Sequence, residues 1–235
     1  MPFAYLILLY SKGVQSEFTG GRTENDIVNW ILKRVGPAST EASCDVLAEK
    51  ATTDKLALIY FGDLSAREYS EVFLGVASNP AVNEKFNFYH NSDKSCAASH
   101  GASTPGLVLV RQFDTPKVVY TGNQEVSPVV EFMLASSVPT LIEFSEDYIE
   151  PIFGQRRSAI ILFRSKSDSD SDFAKVFKQA AETLKGEILF VVSGVTEGIQ
   201  QRLGEFIGVE ESNLPTLRLL DPADNMKKFS YAGKS

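Results

Sequence analysis

Leu107-Val108-Leu109-Val110, followed by Lys117-Val118-Val119-Tyr120-Thr121-Gly122, is an apolar run, a short gap, and a second run ending in an aromatic, a small residue and a glycine. Two short β-rich runs this close together predict a hairpin. The signature recurs on either side. Ile7-Leu8-Leu9-Tyr10 leads to Phe18-Thr19-Gly20, and Leu217-Arg218-Leu219-Leu220 leads to Tyr231-Ala232-Gly233. The three aromatics stand 102 and 111 residues apart, the size of a small domain. A helix signal follows the first two glycines, whereas two residues follow the third. The chain reads as a piece of a tandem array: the end of one domain, one whole domain, and one lacking its closing helix, which would leave the last domain the less stable.

The first helix signal runs from Thr23 to Pro37. Thr23 caps it, Glu24 and Asp26 place negative charge in its first turn, and Ile27, Trp30 and Ile31 give an apolar stripe. Lys33 and Arg34 suit its last turn, Gly36 is expected to close it in a left-handed conformation, and Pro37 forbids continuation. From there the pattern alternates. Helices are expected at Glu41 to Lys50, Ala66 to Val76 and Ser92 to Ala98, with a last one opened by Ser127-Pro128 and running to Ala135. Strands are expected at Leu56 to Phe61 and Lys85 to His90, before the hairpin. The second repeat keeps the order. Thr140 to Phe144 enters it, Tyr148 to Phe153 is a short helix, Ala159 to Phe163 the central strand and Phe173 to Leu184 a helix. Ile188 to Val192 is a strand and Glu197 to Phe206 a helix. Strands and helices in this alternation predict an α/β fold, a mixed central sheet flanked by helices.

Composition narrows the function. The net charge of −7 argues against nucleic acid, which needs a basic surface. No run of 18 apolar residues spans a membrane. The apolar opening at Phe3 lacks a basic region and a cleavage site, and reads as a strand rather than a signal sequence. Cys44 and Cys96 sit in separate segments with no second cysteine nearby. That argues against a disulfide framework, a CxxC redox centre and a cysteine-based zinc site. Cys44 reads as a small apolar residue of a helix, and Cys96, beside Lys94 and Ser95, as an exposed thiol. Asp168, Asp170 and Asp172 fit the first three ligand positions of a calcium loop. Phe173 and Gln179 stand where that loop needs glycine and glutamate, so a solvated loop capping the next helix is expected instead. His90 and His100 have no catalytic partners in the sequence pattern. No cofactor, metal site or catalytic residue is expected.

Pro105 and Pro215 each stand just before a hairpin. This order of elements resembles the thioredoxin fold, in which that proline is commonly cis. Gly20-Gly21-Arg22-Thr23 with Asp26-Ile27-Val28-Asn29-Trp30 and Lys33-Arg34-Val35-Gly36-Pro37 resembles the end of the first catalytic domain of protein disulfide-isomerase. Val138-Pro139-Thr140-Leu141-Ile142-Glu143-Phe144 with Pro151-Ile152-Phe153-Gly154 resembles the opening of that family's third domain, and Ala180 to Val191 continues the likeness. Residues 1–5 do not match, since the proline expected before the first hairpin is absent.

The resemblance implies tandem thioredoxin-like domains: residues 1–36 the remnant of a catalytic domain, 37–137 a non-catalytic b domain, and 138–235 a b′ domain without its last helix. It implies a polypeptide-binding, chaperone-like role in the endoplasmic reticulum lumen, with unfolded or misfolded polypeptides as partners and neither nucleic acid nor membrane. The positions matching the family's client cleft are Leu162, Phe177 and Val191, expected to converge on one apolar face. Arg164 stands where a leucine usually completes it. With no Cys-Gly-His-Cys motif, this chain alone is expected to lack isomerase turnover. The alternatives are a fragment whose parent is the full isomerase, and a calsequestrin-like calcium protein, which calls for a more acidic surface.

Overall fold

Leu56-Ala57-Leu58-Ile59-Tyr60-Phe61 is an unbroken apolar run because both of its faces are covered, as parallel-sheet strands require. The computed structural model describes residues 7–11, 14–18, 23–169 and 171–230. Thr19, Gly20, Gly21, Arg22, Asp170 and Tyr231-Ala232-Gly233, on which parts of the repeat, helix and calcium-loop readings rest, lie outside them. The chain divides into two compact units, Met1–Leu134 and Ala135–Ser235.

Unit 1 opens with a hairpin of β1 (Leu8–Ser11) and β2 (Val14–Glu17) and the helix α1 (Glu24–Val35). Then follow β3 (Thr40–Glu41), α2 (Cys44–Thr53), β4 (Leu56–Phe61), α3 (Arg67–Ala77), β5 (Asn87–Asn91), α4 (Lys94–Ser99), β6 (Gly106–Arg111), β7 (Lys117–Val119) and α5 (Val126–Ala135). Five strands form one mixed sheet in the order β3-β5-β4-β6-β7. β5 runs parallel to β3 and β4, while β6 is antiparallel to β4 and β7. Because side chains alternate along a strand, Ala57, Ile59 and Phe61 face α2 and α4, packing with Leu47 and Cys96. Leu58 and Tyr60 face the other way and pack with Phe73, Val76, Val129 and Met133 of α3 and α5.

Unit 2 repeats the strand arrangement, with turns in place of α2 and, among the described residues, no counterpart of α5. β8 (Ile142–Glu143) is followed by two short helical turns, Glu146–Tyr148 and Glu150–Gly154, then β9 (Ala159–Phe163), α6 (Asp172–Thr183), β10 (Leu189–Ser193), α7 (Gly198–Ile207), β11 (Thr216–Asp221) and β12 (Lys227–Ser230). The sheet order, β8-β10-β9-β11-β12, is that of unit 1. The Thr104–Pro105 and Leu214–Pro215 peptide bonds, immediately before β6 and β11, are both cis. The fold is thus α/β, tandem thioredoxin-like domains each with a mixed central sheet flanked by helices. No helix among the described residues is long and apolar enough to cross a membrane.

Local chemistry accounts for where the elements fall. α2 starts at Cys44, later than expected, because the Ser43 hydroxyl accepts from Val46 N at 3.4 Å while Thr40 and Glu41 pair with Tyr89 and His90. Gly36 is not left-handed. It ends α1 because a Cβ there would lie 2.5 Å from the Leu32 carbonyl oxygen, which instead accepts from Gly36 N at 2.8 Å. α5 begins at Val126, ahead of Ser127-Pro128. α1 is held to the rest of unit 1 by Lys33, whose ammonium donates to the Glu84 and Phe86 carbonyls at 3.0 and 3.2 Å, and by the Arg34–Glu84 ion pair. Beneath α2, the Asp54 carboxylate accepts from Asn87 Nδ2 and the Tyr89 hydroxyl, each at 2.7 Å. Burial and this carboxylate push the Tyr89 phenol well above its ordinary value.

The expectation of two unpaired cysteines is overturned. Cys44 and Cys96 form a disulfide, with Cα atoms 5.5 Å apart and 52 residues of sequence separation. The reason is topological. β3 and β5 are parallel neighbours, so the helices that follow them emerge side by side on one face, a juxtaposition local spacing does not reveal. Cys96 is buried and Cys44 half-buried, the reverse of their expected roles.

Closing a loop of this length removes chain entropy worth about 4 kcal/mol from the unfolded state. Replacing both cysteines by alanine should therefore destabilise unit 1 by up to about that amount and leave unit 2 unchanged, read by urea unfolding with hydrogen exchange resolving each unit. Burial also holds His90 and His100, both in unit 1, below the ordinary histidine value. The unfolded state then binds more protons than the folded one below about pH 6.5. Unit 1 stability should be full at neutral pH and fall as the pH drops below that value towards the lower folded-state values, checked by urea unfolding from pH 7.5 to about 5.

Candidate functional site

In unit 1, α2 and α4 cover one face of the sheet and are tied together by the disulfide. In unit 2 the α2 slot holds only the turns Glu146–Tyr148 and Glu150–Gly154, the second carrying Pro151 in its first turn. α7 forms regularly on the other side. Ile199, Leu203 and Phe206 fall on one stripe, and Gly208, at φ 83°, supplies the left-handed residue that ends the helix.

Between the turns and α7 lies an open groove of about 320 Å³, lined by Phe144, Ile149, Phe153, Ile199, Leu203 and Phe206, with Arg202 and Met226 at its border. The Phe153 and Phe206 rings meet edge to face, centroids 6.1 Å apart. Ile149 and Phe206 remain 38% and 44% exposed, unusual for large apolar side chains already packed on neighbours. The Lys228 ammonium sits 3.9 Å from the centre of the Phe206 ring. Among the lining residues only Arg202 has a charged side chain, so the surface rewards apolar area without fixing a ligand's orientation.

The residues expected at the client cleft fall in three places. Leu162 and Phe177, 1% and 4% exposed, share a cluster with Phe190, Val192 and Ala181 on the α6 face, the two phenylalanine rings 5.1 Å apart. Val191 lies on the opposite face, fully buried in the cluster that contains Phe144 and Leu203, and so belongs to the layer beneath the groove. The register explains the split. Leu162 pairs with Val192 and Ile161 with Val191, and one residue along a strand reverses the face. These three side chains therefore do not converge on one surface. Arg164 occupies a separate polar pocket with Ser193 and Gln200 beyond the strand ends. Its guanidinium donates to the Ser165 carbonyl at 3.3 Å and lies 3.9 Å from the Glu143 carboxylate. In the Asp/Ser run, Ser171 caps α6 by accepting from Ala174 N at 3.2 Å.

Sequence reasoning did not single out Ile149, Ile199, Phe206 or Met226. The helical spacing of Ile199, Leu203 and Phe206 was visible, but such a stripe signals burial. What makes it a surface is the seam left between the side chains of the facing turns and those of α7.

A family model for a thioredoxin-like domain matches residues 63–235. Protein disulfide-isomerase of Oryctolagus cuniculus is 31% identical over 218 residues, covering 91% of this chain and 42% of the relative. That of Gallus gallus is 30% identical over 224 residues, covering 93% and 42%. The chain thus spans less than half the length of these relatives. Among solved structures, the zinc-bound form of human ERp44 is similar with a TM-score of 0.59 at 16% identity, covering 99% of this chain and 67% of that one. The bb fragment of ERp72 is similar with a TM-score of 0.57 at 16% identity, covering 85% and 91%. At such identity these two structures speak for the fold alone. The matched family model and the shared order of strands, cis-prolines and helices make this chain a member of the thioredoxin-like family, homologous to the protein disulfide-isomerases.

Proposed function

We propose that unit 2 binds exposed apolar segments of unfolded or misfolded polypeptides in the groove between the turns 146–154 and α7, as the non-catalytic binding region of a protein disulfide-isomerase of the endoplasmic reticulum lumen. The observation that carries this reading is the contrast within one chain. Two units share a topology and bury the corresponding sheet face, yet outside that face unit 2 presents an apolar groove in which Ile149 and Phe206 stay exposed. An unfolded client offers apolar side chains without a fixed shape, and a shallow groove with few polar groups binds such chains weakly and without sequence preference. Binding strength then tracks apolar area removed from water, at about 25 cal/mol per Å². Val191, Leu162 and Phe177 contribute by holding the sheet beneath and behind that groove. The chain's span of less than half of its relatives favours a second reading alongside the first, in which this region serves a longer protein that carries the thiol–disulfide chemistry elsewhere.

Ile149→Asp and Phe206→Asp test the groove. Both residues are partly exposed but also packed on neighbours, so each variant should lose about 1–2 kcal/mol and remain folded. Each should bind a fluorescently labelled unfolded polypeptide roughly tenfold more weakly, about 1.4 kcal/mol. Wild-type affinity in both folded variants would refute the assignment. Phe177→Ala, in contrast, should destabilise unit 2 by about 3–5 kcal/mol, as removal of a core phenylalanine does. A folded Phe177→Ala variant of normal stability with lost binding would place the site on the α6 face instead, as read by urea unfolding and the same binding assay.

A further inference from the structure

The disulfide of unit 1 has a third member. The two sulfurs of Cys44 and Cys96 and a ring nitrogen of His100 all lie within 4.8 Å of one another. His100 Nδ1 is 3.1 Å from the Cys96 carbonyl oxygen and 3.2 Å from the Ser99 hydroxyl, which itself donates to that carbonyl at 2.8 Å. A carbonyl oxygen only accepts, so the contact with Nδ1 places the ring proton on Nδ1 and leaves Nε2 as a bare lone pair. His100 is 5% exposed, and Nε2 is buried without a hydrogen-bond partner. An unsatisfied buried acceptor is destabilising and calls for an explanation.

We propose that Cys44, Cys96 and His100 form a redox-gated zinc site, holding a disulfide when oxidised and a zinc ion when reduced. Two thiolates and a neutral imidazole are the donors zinc prefers. At zinc–sulfur and zinc–nitrogen distances of about 2.3 and 2.0–2.1 Å, the donors of one tetrahedral ion stand about 3.5–3.8 Å apart, which small side-chain rotations reach from this cluster. In this site Nε2 is the ligand atom, and the Nδ1 contact with the Cys96 carbonyl would serve as the outer hydrogen bond that holds a zinc-binding histidine in the required tautomer. Cys44 is the first residue of the ten-residue helix α2, where the helix field favours its thiolate. Being half-buried, it leaves the fourth position open to water.

The steps balance. A dithiol reductant gives two electrons and two protons to the sulfurs, breaking the sulfur–sulfur bond and becoming a disulfide itself. Zinc then displaces both thiol protons into solvent. Sulfur–sulfur bond and metal exclude one another, and each ties α2 to α4.

The test reduces the full chain with a water-soluble phosphine, which leaves as its oxide after taking an oxygen from water, and titrates it with Co²⁺. The expected result is one equivalent bound with thiolate-to-cobalt charge-transfer and tetrahedral d–d absorption, displaced by Zn²⁺, with no such bands in the oxidised chain. Cys96→Ser should lose the charge-transfer band. His100→Asn keeps an N–H donor near the Nδ1 position and removes Nε2, and should weaken binding at least roughly tenfold. X-ray absorption of the zinc-loaded, reduced wild type should show two sulfurs and one imidazole, independently of whether any variant folds. No cobalt bands in the reduced chain, unchanged affinity in His100→Asn, or a coordination shell without imidazole would each overturn the proposal.

Discussion

The parallel pairing of a central strand with its neighbour, β4 with β5 and β9 with β10, is the constraint on which the rest of both units depends. Neighbouring strands in parallel register must be joined by a crossover, and the crossover helix must cover a face of the sheet. With an edge strand parallel on one side and a hairpin antiparallel on the other, each sheet has two faces to bury and alternating side chains with which to do it. Ala57, Ile59 and Phe61 serve one face and Leu58 and Tyr60 the other. In unit 2, Ala159, Ile161 and Phe163 serve one face and Leu162 the other.

From that shared frame the described residues diverge at two slots: turns stand where unit 1 has α2, and nothing matches α5. Parallel pairing of β3 with β5 delivers α2 and α4 side by side, close enough for Cys44 and Cys96 to bond. Parallel pairing of β8 with β10 delivers the turns 146–154 and α7 to the equivalent face. There the turns and α7 bury the sheet face but leave Ile149 and Phe206 in contact with water. One topology thus yields a stapled face and one that carries an apolar groove.

Much of this was legible in the residues. Leu56–Phe61 and Ala159–Phe163 have the continuous apolar character of central strands, and the structure places β4 and β9 on those residues. The resemblance to the disulfide-isomerases rested on motifs at 20–37 and 138–154, and relatives near 30% identity agree with it. What stayed hidden depends on partners distant in sequence. The disulfide needs the neighbourhood of β3 and β5, which neither cysteine advertises. The separation of Val191 from Leu162 is a one-residue register matter between β9 and β10. The groove arises because the stripe from Ile199 to Phe206 is only partly covered by the side chains of the turns 146–154. A stripe alone cannot tell a core from a binding surface.

The most direct test of this account is a map of amide and methyl chemical shifts in the full chain titrated with an unfolded polypeptide. The account predicts perturbations concentrated at Ile149, Ile199, Leu203 and Met226, with unit 1 and the α6 face unchanged. Perturbations centred on Val176, Phe177 and Ala180, or on the face of unit 1 that carries the disulfide, would contradict it.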